Sequence, residues 1–238
     1  MTNVPSENPP GPERVLETRR VYEGRVLSLR VDSVALPDGR SAQREVAEHA
    51  PVVVIVPLDG EGNVLLVRQY RLPVKQLLLE LPAGGIDAGE GIEEAVQREL
   101  REETGQRAGR LERLAAFYAS PGYCDELMHL YLATELEPSP LAADSDENIE
   151  VVRMSLTEAL ALVEQGDICD AKTIIGLWAA ARRTGDMKIC LCLRCGHEWL
   201  RRLPERPRRC AKCKSPYWHV ARGTLKRGGW RPRRNHIV

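Results

Sequence analysis

The sequence lacks a long apolar run, and it also lacks a net charge. No stretch approaches the roughly 18 apolar residues that a membrane-spanning helix needs, so no such helix is predicted. The first 13 residues have neither a basic start nor an apolar stretch, and they are rich in proline. We therefore interpret residues 1–13 as a disordered lead rather than a secretory signal, and we expect a cytoplasmic protein.

The zero net charge conceals two oppositely charged parts. The chain has 34 basic and 34 acidic residues. Residues 188–238 carry 15 Lys and Arg against two acidic residues, a net charge of +13, so the preceding 187 residues carry −13. Such a division favours two modules. We predict a main domain at 14–186, a small cysteine-containing module at 187–220 and a basic tail at 221–238.

The apolar pattern predicts a layered fold of strands and helices. Alternation and short apolar runs indicate strands within 14–50 and at 52–57, 64–71, 111–118, 128–134 and 150–154. Helices are predicted at about 91–104, 157–164 and 171–182. Strands that enclose a few helices define an α+β fold with a mixed sheet.

A glycine-rich loop that runs into the first helix is the most informative segment. Glu99 and Glu103 are four residues apart, so they share one helix face, with Glu102 beside them. That face also carries the apolar Ile92 and Val96, which a merely solvated acidic face would not do. Paired inward carboxylates need compensation, and Mg²⁺ with oxygen ligands is the simplest form of it.

The spacing of this segment resembles the Nudix box, G-x5-E-x7-R-E-U-x-E-E-x-G-U, where U is a bulky apolar residue. The matching positions are Gly84, Glu90, Arg98, Glu99, Leu100, Glu102, Glu103 and Gly105. Only Gln106 departs from the pattern, at a position that packs rather than reacts. The resemblance implies a Nudix α/β/α sandwich with two or more Mg²⁺ or Mn²⁺ ions.

Segments outside the box resemble the ADP-ribose pyrophosphatase branch of the Nudix family. They lie at 19–24, 68–71, 80–84, 120–122 and 156–180. In that branch a proline lies about sixteen residues past the last glycine of the box, as Pro121 does here. The branch implies hydrolysis of ADP-ribose to AMP and ribose 5-phosphate. It also implies a homodimer in which the N-terminal strands, residues 14–50, swap between subunits.

The family pattern assigns roles to individual residues. It implies that the Ala83 carbonyl, Glu99 and Glu103 ligate metal, that Glu102 shares a second ion, and that Arg98 orients the carboxylates by charge-assisted hydrogen bonds. In this branch the catalytic base is a glutamate on a later loop. Glu147 is the first candidate and Glu150 the second, although both also fit surface acids on a loop. Substrate contacts are predicted at Arg68, Arg71, Glu80, Pro121, Gly122 and Glu126. For the two arginines, ordinary charges at a strand end are the alternative.

Two C-x2-C pairs lie near the C-terminus, 14 residues apart. Cys192, Cys195, Cys210 and Cys213 have the spacing of a four-thiolate Zn²⁺ site. Disulfides are the alternative, which a cytoplasmic location disfavours. The module resembles a zinc ribbon, and its zinc is structural because no ligand position is left open. A segment this short has little core of its own, so the metal supplies much of its stability.

Basic and aromatic residues are interleaved in this module. The aromatic residues are Trp199, Tyr217, Trp218 and Trp230, and the basic residues are Arg194, Arg201, Arg202, Arg208, Arg209, Lys212 and Lys214. This composition suits nucleic acid, through phosphate neutralisation and base stacking. Docking onto the acidic domain of the same chain and binding of a protein partner are the alternatives.

Two other functions compete with hydrolysis of ADP-ribose. The same chemistry could act on nucleotide-capped RNA held by the ribbon. A nucleotide-sensing, nucleic-acid-binding regulator without catalysis is the other alternative. The complete carboxylate set argues against the regulator, because a retired site needs no paired inward acids.

Overall fold

The structure, a computed structural model, describes residues 11–142, 148–185, 189–200 and 207–221. The chain divides into two compact units, Met1–Ala180 and Ala181–Val238. The predicted boundary at residue 186 lies outside the described residues, as do residues 1–10 of the lead and 222–238 of the tail. No helix in the described part of the chain is long and apolar enough to cross a membrane.

The N-terminal strands form an antiparallel sheet in the order β1-β2-β3. They are β1 (Arg14–Glu23), β2 (Leu27–Ala35) and β3 (Ser41–His49). A turn at residues 37–39 joins β2 to β3. Gly39 lies in the left-handed region with φ 86°, and the amide of Leu36 donates to the Arg40 carbonyl at 2.8 Å. All residues of β1 are exposed, so this sheet is open on that edge.

Seven further strands of the first unit form two sheets. The strands are β4 (Val52–Pro57), β5 (Asn63–Arg71), β6 (Gln76–Glu80), β7 (Ala83–Gly85), β8 (Gln106–Tyr118), β9 (Leu127–Pro138) and β10 (Ile149–Ser155). One sheet has the order β7-β4-β9-β8 and is mixed, because β4 runs parallel to β9 while the other pairs are antiparallel. The other sheet, β10-β5-β6, is antiparallel throughout.

Helices cover both faces of the mixed sheet. They are α1 (Ile92–Thr104), α2 (Leu156–Gln165) and α3 (Ala171–Thr184). On one face, Val53 and Ile55 of β4 pack with residues of α1 such as Val96 and Leu100. On the other face, α3 approaches so closely at Gly176 that a Cβ there would lie 2.3 Å from Leu81 Cδ1. The predicted α/β/α sandwich is confirmed.

The structure corrects the extent of some elements. The segment Ala83–Gly85, interpreted from the sequence as a loop, is a short strand that pairs with β4. Strand β8 begins at Gln106 rather than Leu111, directly after the helix ends at the left-handed Gly105. Its polar start was missed because β8 lies at the sheet edge, where solvent replaces the apolar neighbours that produce a clear alternation.

Candidate functional site

Helix α1 directs two carboxylates toward the protein interior. It begins after Gly91, whose amide donates to Glu94 Oε2 at 2.9 Å, and it ends at Gly105. Alongside its apolar residues the helix buries Glu99 and Glu103, which are 8% and 7% exposed. The shared face predicted from the four-residue spacing is therefore observed.

Strand β7 lies against these carboxylates. The backbone amide of Ala83 donates to Glu103 Oε2 at 3.1 Å. Gly84 faces Glu99 so closely that an added Cβ would lie 2.0 Å from Glu99 Oε1. The structure thus brings together the backbone of Ala83 and the two glutamates predicted to hold metal, and it shows why a glycine is needed between strand and helix.

Arg98 forms hydrogen bonds with Glu90, Glu99 and Glu102 of the box. Its Nε and Nη2 atoms each donate to Glu90 at 2.9 Å. Nη1 donates to Glu99 at 2.6 Å and to Glu102 at 3.1 Å, while Nη2 also donates to the Gly85 carbonyl at 2.8 Å. The hydrogen bonds to Glu90 are the largest cause of a raised Arg98 pKa. Arg98 is thus a fixed cation that orients three carboxylates.

These residues fit a hard divalent cation. Carboxylate oxygens that are buried and negatively charged are the ligand type that Mg²⁺ and Mn²⁺ prefer. Among the described residues, the four cysteines are the only group of three or more potential ligands whose ligand atoms all lie within 4.8 Å of one another. The carboxylates of the box are therefore more widely spaced than the cysteines. Arg98 Nη1 donates to both Glu99 and Glu102, which holds these two side chains beside each other.

A buried ionic network adjoins the box and was missed by sequence reasoning. Arg71 donates through Nε and Nη2 to the two oxygens of Glu80, at 2.8 and 2.9 Å. Lys172 also pairs with Glu80, and its Nζ lies 3.1 Å from Asp170. Burial raises the pKa of Glu80, but the hydrogen bond from Arg71 and the charge of Lys172 outweigh it and hold the pKa below its usual value. The polar Lys172 and Thr173, which precede the apolar middle of α3, were the sequence signal.

The network fixes both Arg71 and the chain that enters β7. Thr173 Oγ1 accepts a hydrogen bond from the Leu81 amide at 2.8 Å. The hydrogen bond with Glu80 is the main cause of a raised Arg71 pKa, and the charge of Glu103 adds to it, so Arg71 lies near the box. Glu80 was predicted to contact substrate, but it is 1% exposed. Its carboxylate is occupied by Arg71 and Lys172, which makes Glu80 a positioning residue.

Replacing Lys172 by Met is expected to destabilise the protein by about 3–5 kcal/mol, because it leaves the Glu80 charge with one cation fewer. Urea unfolding would measure this difference, with Lys75→Met in the exposed β5–β6 turn as the control.

Since the folded-state pKa of Glu80 is lowered, its ionic stabilisation is present above its ordinary pKa of 4.5 and is lost as pH falls through the folded value. The free energies of unfolding of Lys172→Met and Lys75→Met should therefore differ most between about pH 5 and 8. Equal free energies in this range would contradict the role given to the network.

Arg68 and Arg71 do not share one site. They are three residues apart on β5, so their side chains point to opposite faces of the sheet. Arg68 Nη1 donates to Glu150 Oε2 at 2.7 Å, and the two residues lie directly opposite each other in the β5–β10 pairing. Glu150, the second candidate base, therefore lies on the face away from Arg71. Glu147, the first candidate, lies outside the described residues.

The loop with the remaining predicted substrate contacts is bound to β3. The amide of Ala47 donates to the Tyr123 carbonyl at 2.7 Å, and the amide of His49 donates to Asp125 Oδ1 at 2.9 Å. Glu126 Oε1 lies 3.8 Å from His49 Nδ1. Pro121 and Gly122 are exposed on this loop. These contacts place the loop beside the N-terminal sheet.

The second unit holds a separate cluster of four cysteines. It includes β11 (Ile189–Leu191) and β12 (Glu198–Leu200), which pair antiparallel. The Sγ atoms of Cys192 and Cys213 lie 3.7 Å apart, as do those of Cys195 and Cys210. All four ligand atoms lie within 4.8 Å of one another, which is the arrangement that a tetrahedral thiolate site requires.

Two equivalent turns present these cysteines. The amide of Gly196 donates to the Cys192 carbonyl at 2.8 Å, and the amide of Lys214 donates to the Cys210 carbonyl at 3.0 Å. Gly196 and Lys214 occupy the same position in their turns and share the left-handed conformation, with φ 69° and 58°. The C-x2-C repeat in the sequence thus corresponds to a repeat in the backbone.

The core of this module contains Trp218. The tryptophan is 7% exposed, packs with Cys190, Cys192 and Cys210, and donates through Nε1 to the Pro207 carbonyl at 2.7 Å. The composition groups Trp218 with the aromatic residues suited to base stacking, but the structure buries its ring, so Trp218 does not take that role. In so small a module, a large ring is needed to cover the cysteines. Arg201, Arg202 and Trp230 lie outside the described residues.

Comparison with known proteins identifies the class of the first unit. A NUDIX domain model matches residues 42–175, and a model of the nucleoside diphosphate sugar hydrolase N-terminal domain matches residues 13–47. The chain belongs to the Nudix family and is a Nudix pyrophosphohydrolase. The four cysteines lie beyond both matched ranges.

ADP-ribose pyrophosphatases are among the similar proteins. The ADP-ribose pyrophosphatase of Bacillus subtilis is 39% identical over 163 residues, which are 68% of this chain and 88% of the relative. The ADP-ribose pyrophosphatase of Mycobacterium tuberculosis is 36% identical over 167 residues, 69% of this chain and 81% of the relative. A crystal structure of an ADP compounds hydrolase is 25% identical, with a TM-score of 0.68, and the match covers 75% of this chain and 97% of that one. The resemblance found in the sequence is confirmed.

Proposed function

We propose that the chain hydrolyses ADP-ribose, or a closely related nucleoside diphosphate compound, in a reaction that depends on divalent metal. The observation that carries the proposal is the pair of buried carboxylates, Glu99 and Glu103, held against Ala83 and Gly84. Relatives named ADP-ribose pyrophosphatase and GDP-mannose pyrophosphatase support the diphosphate class. With ADP-ribose the products would be AMP and ribose 5-phosphate.

Each part of the site has a distinct task in this proposal. Glu99, Glu103 and the Ala83 carbonyl would hold the first ion, and Glu102 would share a second. When bound, these ions neutralise the diphosphate and lower the pKa of the attacking water. Arg98 keeps the carboxylates oriented for ligation. Arg71, fixed by Glu80, offers its guanidinium to a phosphate oxygen.

Hydrolysis can be tested by incubating the protein with ADP-ribose and Mg²⁺ and separating the products by ion-exchange chromatography. We expect AMP and ribose 5-phosphate in equal amounts and no reaction in excess chelator. GDP-mannose and a nucleotide-capped RNA, assayed in parallel, would rank the substrate classes. An intact ADP-ribose pool, with cleavage of none of the three compounds, would refute the proposal.

The proposed base is Glu147, because Glu150 pairs with Arg68 on the sheet face away from Arg71. Replacing Glu147 by Gln should lower kcat by about 10²–10⁴-fold, the range of general base catalysis. The matched variant Glu150→Gln should stay near the wild-type rate. Steady-state kinetics would distinguish the two residues, and the opposite ranking would transfer the role to Glu150.

Adjacent glycines of β7 provide a matched pair of variants. A Cβ at Gly84 would overlap the Glu99 carboxylate, whereas a Cβ at Gly85 meets nothing within 4 Å. Gly84→Ala must displace Glu99, and a misplaced catalytic group can cost about 100-fold in rate. Gly85→Ala should leave kcat unchanged. Equal rates for both variants would show that the contact with Glu99 does not matter for catalysis.

The proposed assembly is a homodimer formed through the N-terminal strands. Strand β1 has exposed apolar side chains, including Val15 at 53%, Val21 at 47% and Tyr22 at 58%. A strand with this many exposed apolar residues is costly in a monomer. Light scattering should give a mass near twice 26.6 kDa, and Tyr22→Glu should shift it toward the monomer. A wild-type monomer at micromolar concentration would contradict the dimer.

The proposed ion of the second unit is a structural Zn²⁺. Four thiolates complete a tetrahedral shell and leave no position for substrate. The ion would link the two turns, each of which supplies two cysteines. Its stabilising effect is tested by the cysteine variants considered in the Discussion.

A further inference from the structure

The C-terminal region carries far more positive charge than is needed to balance the negative charge of its metal site. Residues 188–238 have a net charge of +13 from Lys, Arg, Asp and Glu. Four thiolates and one Zn²⁺ together carry −2, because four negative charges meet two positive ones. A surplus of +11 therefore remains after the metal site is balanced. This surplus favours association with an anionic partner.

Basic side chains of the second cysteine turn are exposed. They are Arg208, Arg209, Lys212 and Lys214. The sequence from 207 to 221 contains no acidic residue. Lys214 also adopts a left-handed conformation, which favours glycine, at the position that Gly196 occupies in the first turn. Its ammonium donates to the Ala211 carbonyl within the turn at 2.8 Å, so Arg208, Arg209 and Lys212 are the charges considered for a partner.

An aromatic ring is fixed beside these charges. Tyr217 is 45% exposed, and the guanidinium carbon of Arg194 lies 5.6 Å from its ring centroid. Arg194 Nε also donates to the Tyr217 carbonyl at 3.2 Å, which orders both residues. The amide of Leu193 donates to the Trp218 carbonyl at 2.7 Å, so the first turn holds this segment in place. The guanidinium thus lies over one face of the ring and holds it in place.

We propose that these side chains form a binding surface for single-stranded nucleic acid. Arg208, Arg209 and Lys212 neutralise phosphates. A base stacks on the face of Tyr217 opposite to Arg194. An acidic protein would satisfy the charge, but it would offer no base for the ring to stack on. The exposed Tyr217 ring favours single strands, because the bases of a duplex are already stacked on one another. The inference rests on the proposed zinc site and is independent of hydrolysis.

The test uses the full-length protein, after its zinc content has been measured as one ion per chain. Fluorescence anisotropy would follow a labelled oligouridylate of about 15 nucleotides, with an oligothymidylate of equal length as the second probe. Three phosphate contacts predict that affinity falls ~20-fold when salt rises from about 50 to 200 mM, because each contact contributes about −0.7 to the log–log slope.

Two kinds of variant separate charge from stacking. Arg208→Gln with Arg209→Gln should make the salt slope shallower by about 1.4, the share of two phosphate contacts. Tyr217→Ala should weaken binding by about 5- to 150-fold, the range for one lost base stack, without changing the slope. Tyr217→Phe keeps the ring and should bind like the wild type. Arg110→Gln, a charge change on β8 of the first unit, should have no effect.

Several results would overturn the inference. A zinc-loaded protein that does not bind either oligonucleotide at about 25 mM salt would do so. So would a polyglutamate of equal charge that binds as tightly as the oligonucleotides, because the surface would then suit an acidic protein. A chain without zinc would refute this inference together with the zinc site. Absence of ADP-ribose hydrolysis would count against the hydrolase proposal alone.

Discussion

Replacement of Glu103 by Gln is expected to lower kcat for ADP-ribose by about a thousandfold. Glu103 is 7% exposed and lies against the Ala83 amide, so its charge acts within the protein rather than in bulk water. The amide of Gln has nearly the same shape but no negative charge for a metal. Loss of metal-derived stabilisation of several kcal/mol corresponds to a rate effect of about this size. Steady-state kinetics over a range of Mg²⁺ concentrations would measure it.

The same variant should not be less stable in the absence of metal. Glu103 shares its helix face with the buried Glu99, and removal of one charge relieves repulsion. Mg²⁺ should raise the melting temperature of the wild type more than that of Glu103→Gln, because an ion stabilises only the state that binds it. Glu93→Gln, on the exposed first turn of α1, is the matched control and should retain both rate and metal response. A wild-type kcat in Glu103→Gln would remove Glu103 from the metal site.

Replacement of Cys192 by Ser is expected to abolish zinc binding and to unfold the second unit. Cys192 is fully buried, and two of the ligands, Cys192 and Cys210, also form its core with Trp218. Apparent binding free energies of structural zinc sites are about 10–16 kcal/mol, which exceeds what so small a core supplies. Hydrogen exchange measured by mass spectrometry should show loss of protection at 189–221, while residues 42–175 are unaffected.

The neighbouring Cys190 provides the control for this result. It is buried in the same core but is not one of the four clustered cysteines. Cys190→Ala should therefore keep one zinc per chain. Hydrolysis of ADP-ribose by Cys192→Ser should remain within about twofold of wild type, since surface and remote changes rarely alter an independent site. Retention of zinc by Cys192→Ser, or its loss from Cys190→Ala, would contradict the four-thiolate assignment.

The box could be predicted from the sequence because its geometry is local. Glu99 and Glu103 share a face through a four-residue helical spacing, and the apolar residues of that face show that it points inward. The four cysteines could be predicted for a similar reason. Each pair lies within one tight turn, and only the pairing of the two turns is long-range.

The network around Glu80 could not be predicted because it depends on distant parts of the chain. Lys172 is 92 positions away from the glutamate it contacts, and no periodic pattern links them. The family resemblance of the segment 80–84 suggested that Glu80 contacts substrate, and this resemblance does not show what surrounds the carboxylate. Only the position of α3 across the sheet shows that the carboxylate is enclosed by Arg71 and Lys172.

The burial of Trp218 and the placement of Arg68 and Arg71 on opposite faces of the sheet could not be predicted for other reasons. Composition shows that basic and aromatic residues are interleaved, but it does not show which ring covers the cysteines. The two arginines looked equivalent as neighbours in one motif. Their spacing of three on a strand separates them, because strand side chains alternate between faces. The motif identifies both arginines, but only the alternation along the strand shows that they face opposite sides.

Hydrolysis of ADP-ribose in ¹⁸O-labelled water, followed by ³¹P NMR, tests the central claim most directly. The account predicts that, with Mg²⁺, the diphosphate bridge is cleaved and one ¹⁸O atom enters either AMP or ribose 5-phosphate. Glu103→Gln should show almost no labelled product in the same time. Unchanged ADP-ribose, or cleavage to ADP and ribose with the diphosphate intact, would contradict the account.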